Sequence, residues 1–104
     1  MSIEVYLKTR DGRCDASAIY NGESIIVLKG SRIRTSFANN IRGGKTAKNF
    51  REETSVVNED GIVLKDCTFK SPSTAAQFVM GSSVNGWTAW HVDKKNSLKD
   101  YLGR

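Results

Sequence analysis

The sequence contains one proline, Pro72, two cysteines, Cys14 and Cys67, and one histidine, His91. Each scarcity removes a class of protein. A single proline excludes a proline-rich linker. Two cysteines and one histidine without close ligand spacing make no zinc site. The two cysteines are expected to be reduced and buried. No apolar run approaches the roughly 18 residues of a membrane span, so no membrane partner is expected. The start, Met1-Ser2-Ile3-Glu4-Val5, alternates polar and apolar residues instead of following the charged-then-apolar layout of a signal peptide. The expected compartment is the cytoplasm. A further absence is local: from Ser24 to Arg51 there is no Asp or Glu at all.

What is present fits one ordinary domain over residues 1–104. A hydrophobic fraction of 38% and an aromatic fraction of 9% supply a core and argue against disorder. The net charge is +5, and the acid-free stretch holds all of the excess. It carries Lys29, Arg32, Arg34, Arg42, Lys45, Lys48 and Arg51, leaving nine basic against eleven acidic residues elsewhere. Charge clustered in this way raises the local potential and is the footprint expected for a phosphate backbone. The bland alternative is a solvated face, because clustering in sequence does not guarantee clustering in space.

Hydrophobic spacing predicts an α+β fold, a small and mainly antiparallel sheet with two helices. Ile3 to Lys8 alternates as a half-buried strand. Asp11-Gly12 marks a turn, and Arg13 to Tyr20 reads as a second strand with Cys14, Ala16 and Ala18 on one face. Asn21-Gly22 marks another turn before a central strand, Ser24 to Leu28, and Ile33 and Phe37 are candidates to prolong the sheet. Asn39 to Gly44 reads as a loop and Lys45 to about Val57 as a helix, with Ala47, Phe50 and Val57 on its apolar face. Such a helix would set Lys45, Lys48 and Arg51 beside the strand carrying Arg32 and Arg34. Glu59-Asp60-Gly61 is a turn signal, and Ile62 to Leu64 and Cys67 to Phe69 read as short strands. Ser71 can cap a second helix with Pro72 at its first position and Gly81 at its end. Trp87 to Val92 is expected to be a final strand, and Asn96 to Leu102 a short terminal helix.

Candidate chemistry is sparse. Cys67 and His91 are the candidate nucleophile and base, and neither lies in a catalytic signature. Gly43-Gly44-Lys45-Thr46 lacks the first glycine of a phosphate-binding loop, because Asn39 stands there. No catalytic residue and no cofactor are therefore assigned, and a binding accessory is expected in preference to an enzyme. The seven basic residues are the expected nucleic-acid contacts. Ser82, Asn85 and Trp87 are the expected contacts to a base or a partner, if Trp87 or Trp90 is left partly exposed.

The run of Ser71, Pro72, Ser73, Ala75, Ala76, Gly81, Ser83, Asn85, Gly86, Trp87 and Trp90 resembles the bacterial domain of unknown function 4357 family. Val27-Leu28-Lys29-Gly30-Ser31, Phe50-Arg51-Glu52-Glu53 and Asp15-Ala16 resemble its earlier motifs, so the likeness spans most of the chain. That family often follows GIY-YIG nuclease domains and is distantly similar to domains associated with restriction-system adenine methylases. The resemblance implies a DNA context, or a nuclease or methylase as a protein partner, and supplies no catalytic residues.

Overall fold

The computed structural model describes residues 2–34, 55–82 and 84–103. Alternation sets the first strand, β1 (Ile3–Lys8), with Val5 and Leu7 buried and Glu4 and Lys8 exposed. A tight loop reverses the chain. Thr9 N–H donates to Cys14 O (3.0 Å), and Asp11 Oδ1 accepts from the Thr9 hydroxyl (2.7 Å) and Arg13 N–H (3.0 Å). Gly12 supplies the positive φ of 74° that this loop requires.

β2 (Asp15–Tyr20) returns antiparallel, in a register from Ile3 opposite Tyr20 to Lys8 opposite Asp15. Its inward row, Ala16, Ala18 and Tyr20, continues the face begun by Cys14. β3 (Ile25–Val27) and β4 (Cys67–Phe69) complete a four-stranded antiparallel sheet in the order β1-β2-β3-β4. β3 is therefore an internal strand, as the apolar run within Ser24 to Leu28 suggests.

One face of this sheet is covered. Across it lies α1 (Pro72–Met80), capped as its sequence dictates. Ser71 Oγ accepts from Thr74 N–H (3.2 Å), and Gly81 closes the helix in the left-handed region, with its N–H on Gln77 O. Ala75, Ala76, Phe78 and Val79 are fully buried beneath it, and the Phe69 and Phe78 rings lie 5.1 Å apart. Small alanines let the helix approach the strands closely. α2 (Gly86–Ala89) and α3 (Leu98–Leu102) follow. α3 opens on a capping box in which Ser97 Oγ accepts from Asp100 N–H and the Asp100 carboxylate accepts from Ser97 N–H.

Three expectations are corrected. Trp87 to Val92 is not a strand. Asn85 Oδ1 accepts from Trp87 N–H (3.0 Å) and starts the turn of α2, and only His91 then joins the sheet, through a bridge to Tyr6. Capping outweighs the period-two pattern because α2 packs end-on against α1. Ile62 to Leu64 is not a strand of its own: Ile62 bridges Arg32 and Val63 bridges Val57. That bridge also shows Val57 extended, not at the end of a helix. The remainder of the expected helix, residues 45–54, lies outside the described residues, as do Phe37 and the Asn39–Gly44 loop.

The segment from Ser71 to Trp90 is one folding unit. Gly86 sits so close to α1 that a Cβ there would overlap the Pro72 carbonyl and Ser73 N. Gly86 N–H donates to Ser73 Oγ (3.1 Å), and the fully buried Trp90 gives its indole N–H to Pro72 O (3.0 Å). The backbone of Pro72 and Ser73 thus receives both a glycine and a tryptophan from the far side of the loop. This explains why those residue types stand at those spacings.

Candidate nucleic-acid interface

The face of the sheet opposite α1, uncovered among the described residues, is built from the outward positions of each strand. Directly opposed residues of an antiparallel pair share a face. Lys8 opposes Asp15, and Asp15 opposes Arg32, so these three exposed residues form one row across the sheet. The ladder reaches Arg32 through a bulge at Lys29-Gly30-Ser31. There the buried Ser31 hydroxyl accepts from Ser17 N–H (3.1 Å) and donates to Ser17 O (3.3 Å), and Gly30 takes a φ of 92°. Backbone bonds of 2.9 Å in each direction then lock Arg32 to Asp15. Lys8 Nζ lies 3.9 Å from Asp15 Oδ1 in a largely solvated pair, worth little energetically.

The next row lies against β1. His91 exchanges two backbone hydrogen bonds of 2.8 Å with Tyr6, and the two side chains therefore stand side by side on the uncovered face. His91 belongs to a hairpin closed by Asp93. That carboxylate accepts from Lys95 N–H and Asn96 N–H, both at 2.8 Å, and from the Asn96 amide. These bonds hold the Asp93 carboxyl below the usual carboxylate range. The Tyr6 phenol donates to the Glu4 carboxylate, which pushes its pKa above the ordinary tyrosine value. His91 Nδ1 lies 2.9 Å from Ala89 O. Between strand and hairpin lies an open groove of about 540 Å³, lined by Tyr6, Lys8, His91, Asp93 and Lys94.

The expected basic contacts divide. Lys29 and Arg32 are exposed. Lys29 sits in the bulge, with its N–H on Asp66 Oδ1 (2.8 Å). Arg34 is half-buried on the other side: its N–H donates to Val79 O (2.8 Å), and its charge acts on Cys14 and Asp11. Arg42, Lys45, Lys48 and Arg51 lie outside the described residues. Lys8 and Lys94 were missed by attention to the acid-free stretch. The available hint was Tyr6 and Lys8 at outward positions of an alternating strand, where a large aromatic is unexpected.

The second expected cluster is not brought to this face. Asn85 caps α2, Ser82 is half-buried, and Trp87 packs edge-on against Tyr20, with ring centroids 5.8 Å apart at 84°. Tyr20 points into the covered side, at the end of β2 opposite Asp15. Asn85 and Trp87 therefore belong to the helical side, and Trp87 is the partly exposed tryptophan while Trp90 is fully buried.

Cys67 and His91 are also kept apart. Cys67 is on β4 facing the core, whereas His91 is beyond β1 facing outward, four strand spacings of roughly 4.8 Å away. Both cysteines are free and buried. Burial pushes the Cys67 thiol up to about 11 and raises Cys14 as well. Among the described residues, no group of three or more His, Cys, Asp or Glu could hold a metal, and no helix is long and apolar enough to cross a membrane.

A family model described as a domain of unknown function (DUF4357) matches residues 5–102. The match takes in α1, α2 and α3 and, among the described strands, all but the first two residues of β1. No curated protein and no solved structure matches the chain.

Proposed function

The chain belongs to the DUF4357 family, a description that specifies no activity, and from the residues themselves we propose that it is a non-enzymatic, nucleic-acid-binding accessory domain. It contacts phosphates through basic residues on and beside the uncovered face of its sheet. The observation that carries this reading is the 28-residue stretch with seven basic and no acidic residues. Of that stretch, Arg32 stands exposed in the Lys8–Asp15–Arg32 row on this face, and Lys29 flanks it. Lys8 and Lys94 extend the positive character to the opposite edge. A sheet face with outward lysine, arginine and tyrosine is suited to a polyanion with stackable bases. Trp87 is committed to Tyr20, so the alternative of a protein-interaction module built on Ser82, Asn85 and Trp87 ranks second.

The test is titration of labelled duplex DNA, single-stranded DNA and RNA at several salt concentrations. Four phosphate contacts predict a log–log slope of about −3 to −4, or roughly a hundredfold weaker binding between 50 and 200 mM salt. Absence of binding at low salt, or binding insensitive to salt, refutes the proposal. Co-purification of a stoichiometric protein partner with no affinity for nucleic acid would favour the second reading.

A further inference from the structure

We infer that the groove beside β1 seats one unpaired nucleotide of a single strand, its base against Tyr6 and His91 and its phosphate between Lys8 and Lys94. This rests on the nucleic-acid reading above and narrows it from nucleic acid in general to unpaired strands. Three features carry it. The first is the pairing of two ring-bearing side chains from distant parts of the chain: reciprocal backbone bonds between Tyr6 and His91 put both rings on the same outward face. The Glu4 bond to the phenol and the Ala89 bond to the imidazole fix how the rings are presented. Rings held in place lose little freedom when a base stacks on them.

The second feature is size. At about 540 Å³ the groove has the volume of a small-molecule site, and it is open to solvent. A base can reach it only when both of its own faces are unstacked, as in a single strand, a loop or a frayed end. The third feature is the charge pattern. Lys8 enters from β1 and Lys94 from the hairpin. The Asp93 carboxylate that lines the groove with them is already engaged by two backbone N–H groups and the Asn96 amide, so it acts as a brace for the hairpin. The row from Lys8 to Arg32 gives a strand leaving the groove a path across the sheet toward the acid-free stretch.

The experiment measures fluorescence anisotropy of an end-labelled single-stranded oligonucleotide, the matching blunt duplex and the duplex with a single-stranded overhang. The full chain is compared with Tyr6→Leu, His91→Ala, Lys94→Gln and, outside the groove, Arg32→Gln. Circular dichroism confirms that each variant folds, and Lys94→Gln, on an exposed turn, is the safeguard if Tyr6→Leu does not. The expected result is tighter binding of the strand and the overhang than of the blunt duplex. Tyr6→Leu and His91→Ala should each weaken the strand at least about fivefold, the low end for loss of one base–aromatic stack, while barely changing the duplex. Lys94→Gln should flatten the salt slope by about one, and Arg32→Gln should weaken all three ligands alike. Salt-dependent binding without preference for unpaired ends, and unchanged in the groove variants, would overturn the groove while leaving the parent proposal intact. Loss of all binding in the unmodified chain would overturn both. A free nucleoside monophosphate binding as tightly as the oligonucleotide would overturn the strand as the ligand.

Discussion

Replacing Gly86 with alanine sets two well-characterised effects against each other. Gly86 opens α2, and on helix propensity alone the change should stabilise by up to about 1 kcal/mol. Its φ is not positive, so no backbone strain opposes the substitution. The opposing effect is contact: the new Cβ overlaps the carbonyl of Pro72 and the nitrogen of Ser73, which are backbone atoms at the capped start of α1. No side-chain rotation relieves such a clash, so α2 has to withdraw. Withdrawal stretches the bond from Gly86 N–H to Ser73 Oγ and the bond from the Trp90 indole to Pro72 O. Each broken bond, one buried and one partly buried, costs about 1–3 kcal/mol, and repacking around the fully buried Trp90 adds a comparable amount. The sum, about 3–9 kcal/mol against at most about 1 in favour, leaves a net loss of at least about 2 kcal/mol, a large share of the roughly 5–15 kcal/mol of a small domain. At about 4–8 °C per kcal/mol the melting temperature should fall by at least roughly 8 °C, or the variant should fail to fold. Thermal unfolding followed by tryptophan fluorescence measures this directly. Ser73→Ala separates the contributions: it removes the hydroxyl acceptor without the clash and should cost only about 1–2 kcal/mol. A Gly86→Ala protein that melts at or above the parent temperature would refute the account of this junction.

Two further outcomes follow from the titrating groups. The N–H and hydroxyl of Ser97 hold the Asp100 carboxyl below its usual value. Its contribution to α3 is thus fully present above the ordinary carboxylate pKa near 3.9 and disappears as pH falls through the lowered value. Amide resonances of Ser97 and Leu98 should hold through pH 5 and shift only below about 4, and a transition near neutrality would contradict this capping box. With the Cys67 thiol raised to about 11 by burial and Cys14 raised likewise, neither should react with a thiol reagent in the native state at pH 8. Both should react once denaturant is added, and rapid native labelling of Cys67 would show that its strand is not packed as described.

Local pattern made much of the fold legible. Ile3 to Lys8, the Cys14–Ala16–Ala18 face and the Ser71-Pro72 helix start each rest on alternation or capping, which act over a few residues. The α+β class follows from them. The misreading of Trp87 to Val92 has the opposite origin. Its alternation fits a strand, yet the conformation is decided by Asn85 capping the turn and by Gly86 and Trp90 meeting Pro72 and Ser73, contacts invisible to a window along the chain. Ile62 and Val63 were read as strand for the same reason, because a single bridged residue and a short strand look alike locally. The interface was half legible. The charge count singled out Lys29 and Arg32, while the Tyr6–His91 pairing joins opposite ends of the sequence. Arg34 shows the converse, a basic residue in the right stretch whose backbone is tied to α1 on the covered side.

The bonds between Tyr6 and His91 also govern the order in which the molecule becomes safe from itself. β1 precedes the other three strands of this sheet in the chain, and at the middle of its outer edge the Tyr6 N–H and C=O are satisfied by His91, more than eighty residues later. Until that residue is present, the edge offers unpaired backbone donors and acceptors beside a row of apolar side chains, an arrangement that recruits further strands. A chain interrupted before His91 keeps most of its core residues but leaves this edge open, and its characteristic failure is self-association. The hairpin that frames the groove thus also shields the centre of this edge from a second copy of the protein.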